Sequence, residues 1–156
     1  MALFLVQHGI SASKDMDPER GLSDLGTEET NRIAMVAKGY EIPVQKIVHS
    51  GKKRAEQTAT IYHEALALET PMEIISGINP MDDVRIFAAS IEPQKNWMVV
   101  GHMPFMERLV SFLTTGSEHI RVYQFQNSGI VCLDVKDGVD KAADWFIKWT
   151  LNPNIS

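Results

Sequence analysis

Two histidines and an arginine stand shortly after apolar runs of the sequence and are the first candidates for a chemical role. His8 follows the run at residues 3–6, and His102 follows the run at residues 97–100. Arg54 lies a few positions beyond a third such run. A neutral imidazole nitrogen can act as a nucleophile, and a planar guanidinium can bind two phosphate oxygens at once. These residue types therefore mark a candidate site for an anion.

The three apolar runs predict buried strands, and the polar segments between them predict loops and helices. Residues 130–135 and 145–149 predict two later strands, antiparallel at one edge of the sheet. Apolar residues at helical spacing predict helices that begin near Ser23 or Asp24, after Ser50, near Asp82 or Asp83, and at Pro104. Strands that alternate with helices predict an α/β layer fold with a mostly parallel sheet.

This fold class predicts where the candidate residues meet. In open parallel sheets, ligands bind at the carboxyl ends of the strands. His8, Arg54 and His102 all follow strand ends, so we expect them at one edge of the sheet. Helix N-termini behind Ser50 and Met103 point backbone N–H groups at the same edge, which favours an anion.

Composition excludes several other classes of protein. The 156 residues suit a single domain, 1–156. A net charge of −5 without a run of Lys or Arg argues against a nucleic-acid-binding face. Cys132 is the only cysteine and lies in an apolar run, so we expect a buried thiol and no thiolate metal site. The apolar stretch near the N-terminus is too short for a signal peptide or a membrane span, which predicts a cytoplasmic protein without membrane contact.

Four segments around these residues form an ordered pattern across residues 5–104. They are Leu5–Gly9 (LVQHG), Leu22–Gly26 (LSDLG), Ser50–Ala59 (SGKKRAEQTA) and Gly101–Pro104 (GHMP). The pattern resembles the Arg-His-Gly, Leu-Ser/Thr-x-x-Gly and Ser-x-x-x-Arg-Ala-x-Gln-Thr-Ala motifs of the histidine phosphatase (phosphoglycerate mutase-like) superfamily. The last segment resembles the Gly-His-x-Pro motif of its SixA-type phosphohistidine phosphatases.

The resemblance implies a three-layer α/β/α fold and a specific role for each candidate residue. His8 would attack phosphorus and form a transient phosphohistidine that water then hydrolyses. Arg54 would hold phosphate oxygens, and a protonated His102 would stabilise the charge of the transition state. The scheme requires no metal and no cofactor.

Gln7 departs from the family pattern, which has an arginine that binds phosphate at this position. A hydrogen bond to a charged group contributes about 1.5–3 kcal/mol, against roughly 0.5–1.5 kcal/mol for a neutral one. The loss of about 1–2 kcal/mol predicts activity weakened roughly 5- to 30-fold rather than abolished. Arg20 or Lys14, in the loop after His8, is a candidate substitute for the missing cation.

The sequence identifies the general acid less specifically than the other residues of the predicted site. Asp82 and Asp83 lie in the region where the superfamily often places its acid, although capping of a helix is the alternative role for both. Ser50 likewise has two interpretations, a helix cap or a direct ligand of the phosphate, of which the cap is favoured.

The short chain also bears on the substrate. The segment between Arg54 and the strand at 97–100 holds one predicted strand and one predicted helix, which leaves no room for a large lid. An open pocket suits phosphohistidine on another protein, such as a phosphotransfer domain in signal transduction. Two alternatives stay open: a small-molecule phosphatase, or a module that binds a phosphorylated ligand and has lost turnover because of Gln7.

Overall fold

The computed structural model of the chain describes residues 1–136 and 143–155. The strands are β1 (Leu3–Gln7), β2 (Lys46–His49), β3 (Glu73–Ile74), β4 (Trp97–Gly101), β5 (Ile130–Val135) and β6 (Trp145–Leu151). The helices are α1 (Asp24–Gly39), α2 (Lys53–Ala65), α3 (Val84–Ser90) and α4 (Phe105–Thr115), and a short 3₁₀ turn spans Pro93–Lys95.

The strands form one sheet in the order β3-β2-β4-β1-β5-β6. The pairs β3–β2, β2–β4 and β4–β1 are parallel, whereas β5 is antiparallel to β1 and β6 is antiparallel to β5. This topology confirms the predicted mostly parallel sheet with an antiparallel pair at one edge. It also places the carboxyl ends of β1, β2 and β4 side by side.

Helices cover both faces of the sheet, which confirms the three-layer architecture. Successive side chains of a strand point to opposite faces. Phe4 and Val6 accordingly pack in the cluster that includes the buried residues of α1 and α2. Leu3 and Leu5 pack in the cluster with α3 and α4. Within the described ranges, no helix is long and apolar enough to cross a bilayer.

Local capping explains where most of the helices begin and end. The Ser23 side chain accepts a hydrogen bond from the Gly26 N–H and caps α1, and Asp83 caps α3 in the same way through the Arg85 N–H. Gly116 ends α4 with a φ of 81°, a conformation that glycine adopts without strain.

The expectation that Ser50 caps α2 is wrong. Lys52 is the N-cap residue of that helix, and it makes no side-chain capping bond. The Ser50 hydroxyl accepts at most a long hydrogen bond of 3.4 Å from the Lys52 N–H. Its closer partner is a histidine of the candidate site.

Candidate active site

The backbone around His8 is fixed on both sides. Its N–H donates to the Gly101 carbonyl at 3.0 Å, and its own carbonyl accepts from the Asn127 side-chain amide at 2.9 Å. The next residue is Gly9, where a Cβ would lie 2.7 Å from the Thr30 hydroxyl oxygen. This crowding explains why a glycine follows the histidine, since any side chain would push the loop away from α1.

The hydrogen bonds of the His8 ring determine which nitrogen is free to react. Nδ1 lies 2.7 Å from the Gly9 carbonyl oxygen, and because a carbonyl only accepts, Nδ1 must carry the proton. Nε2 is therefore left with its lone pair, and it accepts from the Nε–H of Arg54 at 3.3 Å. A neutral imidazole with a bare Nε2 is the form required of a nucleophile.

The surroundings of His8 keep it in that neutral form. Burial, against an opposing effect of the Gly9 carbonyl and with a further contribution from the positive charges of Arg54 and Arg20, lowers the pKa of His8 from 6.5 to about 4. Burial disfavours the charged imidazolium, as do neighbouring cations. At neutral pH the Nε2 lone pair is available in essentially every molecule.

Arg54 lies in the first turn of α2 and is tied to the His8 loop through Thr58. The Thr58 hydroxyl accepts from the Gly9 N–H at 2.9 Å and donates to the Arg54 carbonyl at 2.8 Å. This bridge joins the end of β1 to the beginning of α2. It explains how the guanidinium comes to lie against the His8 ring.

His102 completes the group, with its ring centre 5.1 Å from that of His8. The side chain is 1% exposed, and its Nε2 lies 2.6 Å from the Ser50 hydroxyl oxygen. Burial lowers the pKa of His102 to about 3, and its neighbours His8, Arg54 and Lys52 contribute to the lowering. His102 is thus neutral in the free protein, and the protonated form expected from the sequence requires a bound anion to raise its pKa.

Arg20 lies in the loop after His8, where its guanidinium donates to the Ser11 hydroxyl at 3.3 Å. An antiparallel bridge pairs Ser11 with Leu22 across the loop. Asp17 fixes the loop from within: its carboxylate accepts from the Gly21 N–H at 2.9 Å and from the Lys53 ammonium at 2.8 Å. Arg20 lowers the pKa values of both His8 and Arg54, so its charge acts on the site.

Gln7 and the two aspartates occupy less central positions. Gln7 is half-buried at the end of β1, where its carbonyl accepts from the Ser128 N–H at 2.9 Å. Asp82 accepts from the Asn79 N–H at 2.8 Å, and Asp83 accepts from the Arg85 N–H at 2.9 Å. Asp83 therefore caps α3, the alternative role predicted for it, whereas Asp82 binds the backbone of the turn before that helix and does not cap it. A general acid role for either one stays a prediction.

A buried polar network behind His8 was not predicted from the sequence. Thr30 and Ser128 share a hydrogen bond of 2.6 Å between their hydroxyl groups, and the Tyr62 hydroxyl donates to the Ser128 carbonyl at 2.6 Å. Ser128 has a φ of 68°, a left-handed conformation rarely adopted outside glycine. Because Ser128 and Asn127 are far from His8 in the chain, no local motif indicated their role.

The chain is similar to known proteins in sequence and in structure. No protein-family model matches the chain. The phosphohistidine phosphatase SixA of Escherichia coli K12 is 25% identical over 159 residues, covering 98% of this chain and 94% of that protein. The structure of the protein histidine phosphatase SixA with tungstate superposes with a TM-score of 0.82 at 24% identity, over 98% of this chain and 97% of that one.

More distant structures share the fold. A phosphoserine phosphatase of Entamoeba histolytica superposes with a TM-score of 0.71 at 15% identity, covering 96% of this chain and 95% of that one. The resemblance predicted from the four motifs is confirmed by these similarities, as is the phosphoglycerate mutase-like fold.

Proposed function

We propose that this chain, which resembles the SixA-type histidine phosphatases over nearly its whole length and shares their fold, hydrolyses phosphohistidine on another protein through a phosphohistidine on its own His8. The observation that carries the proposal is the state of the His8 ring. Nδ1–H donates to the Gly9 carbonyl at 2.7 Å, which leaves a bare Nε2 beside the Arg54 guanidinium at 3.3 Å.

The first step transfers the phosphoryl group to His8. Arg54 exchanges its hydrogen bond with Nε2 for bonds to phosphate oxygens, which frees the lone pair for attack. The Nε2–P bond forms as the P–N bond of the substrate breaks, and the substrate imidazole leaves with that electron pair. The imidazole takes its proton from His102, which is protonated because the bound phosphate raises its pKa. Alternatively, the substrate imidazole is already protonated when it binds.

The second step regenerates the protein. Water attacks phosphorus, the bond between phosphorus and Nε2 breaks, and inorganic phosphate departs. The proton lost by water passes to the phosphate or to His102. Throughout both steps, Arg54 and His102 face the oxygens on which negative charge develops, and such groups act most strongly in a site shielded from water.

Arg20 supplies part of the positive charge that the neutral Gln7 does not. Its charge lowers the pKa values of His8 and Arg54, which supports a position within reach of a bound phosphate. Lys14 is exposed in the same loop, as Arg20 is, but it is not among the groups that lower these two pKa values. We therefore assign the substitute role to Arg20 and keep Lys14 as the comparison residue.

The substrate class follows from the leaving group and from the openness of the site. A protonated imidazole leaves readily, so a phosphohistidine substrate makes small demands on a general acid. Asp82 and Asp83 become candidate acids for a phosphate ester, which has a poorer leaving group. The segment between α2 and β4 holds only the two-residue β3, the short α3 and a 3₁₀ turn, so it forms no large lid over the site. A site without such a lid suits a macromolecular substrate, for which a phosphotransfer domain is the partner we propose.

The test uses a phosphotransfer domain phosphorylated on histidine, incubated with the purified chain in the presence of EDTA. We expect phosphate release by the wild type and by His63→Ala, whose ring binds the Thr70 carbonyl outside the site. His8→Ala should release none. If the wild type binds phosphate but releases none, the chain is a binding module disabled by Gln7, and the proposal fails.

A parallel assay with a small aryl phosphate separates protein from small-molecule substrates. We expect a kcat/KM for the phosphorylated domain well above that for the aryl ester. A preference for the ester would contradict the substrate class proposed here. In that case, loss of activity in Asp82→Asn or Asp83→Asn would identify the general acid.

A further inference from the structure

The hydroxyl of Ser50 is the hydrogen-bond partner of the His102 ring. Ser50 directly follows β2 and His102 directly follows β4, and these strands are neighbours in which His49 pairs with Val100. The Ser50 oxygen lies 2.6 Å from Nε2 of His102. The other ring nitrogen, Nδ1, is buried without a hydrogen-bond partner among the described residues. Among the described residues, the His102 ring thus makes a single hydrogen bond, the one with Ser50.

A hydroxyl can pair with Nε2 in either protonation state of the ring. It donates its hydrogen to a bare Nε2, and it accepts from Nε2–H through its lone pairs. When His102 gains a proton, both ring nitrogens become donors, so Ser50 must accept. The hydroxyl hydrogen of Ser50 is then free to turn towards another acceptor.

The groups around His102 disfavour its protonated form, so the acceptor that Ser50 offers to Nε2–H matters for protonation of the ring. His8 stands beside the ring from the end of β1, and Lys52 and Arg54 face it from the start of α2. Each of these three groups lowers the pKa of His102, as does burial. Protonation of the ring therefore depends on the bound phosphate and on an acceptor for Nε2–H. In the described part of the chain, the Ser50 oxygen is the acceptor within hydrogen-bond distance.

We infer that Ser50 is a positioning residue for His102: its hydroxyl holds the ring in place and reverses its hydrogen bond when a phosphate oxyanion enters the site. The inference rests on the proposed function, since it names a residue that serves the same site through His102. Neither the helix-capping role expected from the sequence nor direct catalysis describes this contact.

The experiment follows the protonation of His102 directly by NMR of the imidazole nitrogens, with saturating tungstate as the phosphate mimic. We expect Ser50→Ala to lower the pKa of His102 in the complex by about one unit, or about ten-fold in proton affinity, because the protonated ring loses its acceptor. Ser50→Thr keeps the hydroxyl and should restore the wild-type value. Ser90→Ala, which removes a hydroxyl bonded to the Phe87 carbonyl on α3, serves as the control.

Turnover gives the second readout. We expect kcat for the phosphorylated domain to fall about ten-fold in Ser50→Ala and to recover in Ser50→Thr. An unchanged His102 pKa in a folded Ser50→Ala variant would overturn the inference. The NMR measurement requires a bound anion but no turnover. It therefore tests the role of Ser50 even if the assay of His8→Ala shows that the proposed function is wrong.

Discussion

The His8 ring shows how neighbouring groups turn an ordinary side chain into a nucleophile. The Gly9 carbonyl fixes the proton on Nδ1, and burial with nearby cations keeps the ring neutral. Neither effect depends on His8 itself. Both come from residues that the fold brings against it.

The first prediction concerns the pH dependence of activity on an aryl phosphate. Because the pKa of His8 is lowered to about 4, its lone pair persists well below the pH at which a free histidine is protonated. We expect kcat/KM to show no loss as pH falls through 6.5 and to drop only near pH 4. A pH–rate profile for kcat/KM, which reports the free protein, checks this. An acid limb at pH 6.5 would show that His8 is not shielded from solvent.

The second prediction concerns Gln7, the neutral residue beside the nucleophile. Replacement by arginine restores a charged phosphate donor, so Gln7→Arg should raise kcat/KM roughly 5- to 30-fold. The variant Gln7→Met, which removes the amide but keeps a similar size, provides the comparison. Equal or lower activity in Gln7→Arg would mean that the pocket is organised around a neutral residue at this position.

The third prediction concerns Arg20. If its guanidinium contacts bound phosphate, Arg20→Ala should weaken tungstate binding roughly ten-fold or more, since hydrogen bonds to charged groups contribute about 1.5–3 kcal/mol. Lys14→Ala, in the same loop, should change affinity little. Isothermal titration calorimetry of the three proteins measures this. Unchanged affinity in Arg20→Ala would remove Arg20 from the site.

At the scale of elements, the site depends on how α2 is joined to the end of β1. Thr58 is buried and bridges the Gly9 N–H to the Arg54 carbonyl, which sets the distance between nucleophile and guanidinium. Gly26 gives a similar close contact between α1 and the loop, because a Cβ there would overlap the Ile10 carbonyl oxygen. These two contacts explain why a threonine and a glycine occupy these motif positions.

The fourth prediction removes the Thr58 bridge. Thr58→Val keeps the shape of the side chain but leaves the buried Gly9 N–H without an acceptor, which costs about 1–3 kcal/mol. We expect the free energy of unfolding to fall by about that amount in urea denaturation. Thr60→Val is the matched control, because Thr60 makes the same type of bond to the Glu56 carbonyl in a more exposed position. Equal losses in both variants would contradict the bridging role.

At the scale of the whole molecule, the buried histidines make stability depend on pH. His8, His49 and His102 all have pKa values lowered by burial. Below pH 6.5 the unfolded chain takes up protons that the folded chain does not, so this part of the stability is present above pH 6.5 and is lost as pH falls towards 4. Asp17 has its pKa lowered to about 2, so its contribution is lost only below about pH 3.8.

The fifth prediction follows from this linkage. We expect the free energy of unfolding, measured in urea, to decrease between pH 7.5 and pH 5. His102→Asn should reduce the slope, because one of the three shielded histidines is gone. A constant free energy of unfolding across this interval would show that the rings are hydrated in the folded protein.

Much of the fold and the main part of the site were determined by the sequence alone. Wholly apolar strands, helical spacing and turn residues are local properties, so they predicted the alternating elements and the order in which His8, Arg54 and His102 follow strand ends. The four motifs predicted the family resemblance and the phosphoglycerate mutase-like fold. The sequence alone also showed that Gln7 replaces the arginine of the family motif and so removes one positive charge from the predicted site.

Only the tertiary structure decided how these residues are held. It joins segments that are distant in the chain. Examples are the pairing of Ser50 with His102, the hydrogen bonds of Asn127 and Ser128 to the backbone of His8 and Gln7, and the influence of Arg20 on the site. Such contacts depend on three-dimensional distances of a few ångströms, which local patterns do not encode. The same is true of the pKa values, because burial is a property of the packed molecule and not of the residue.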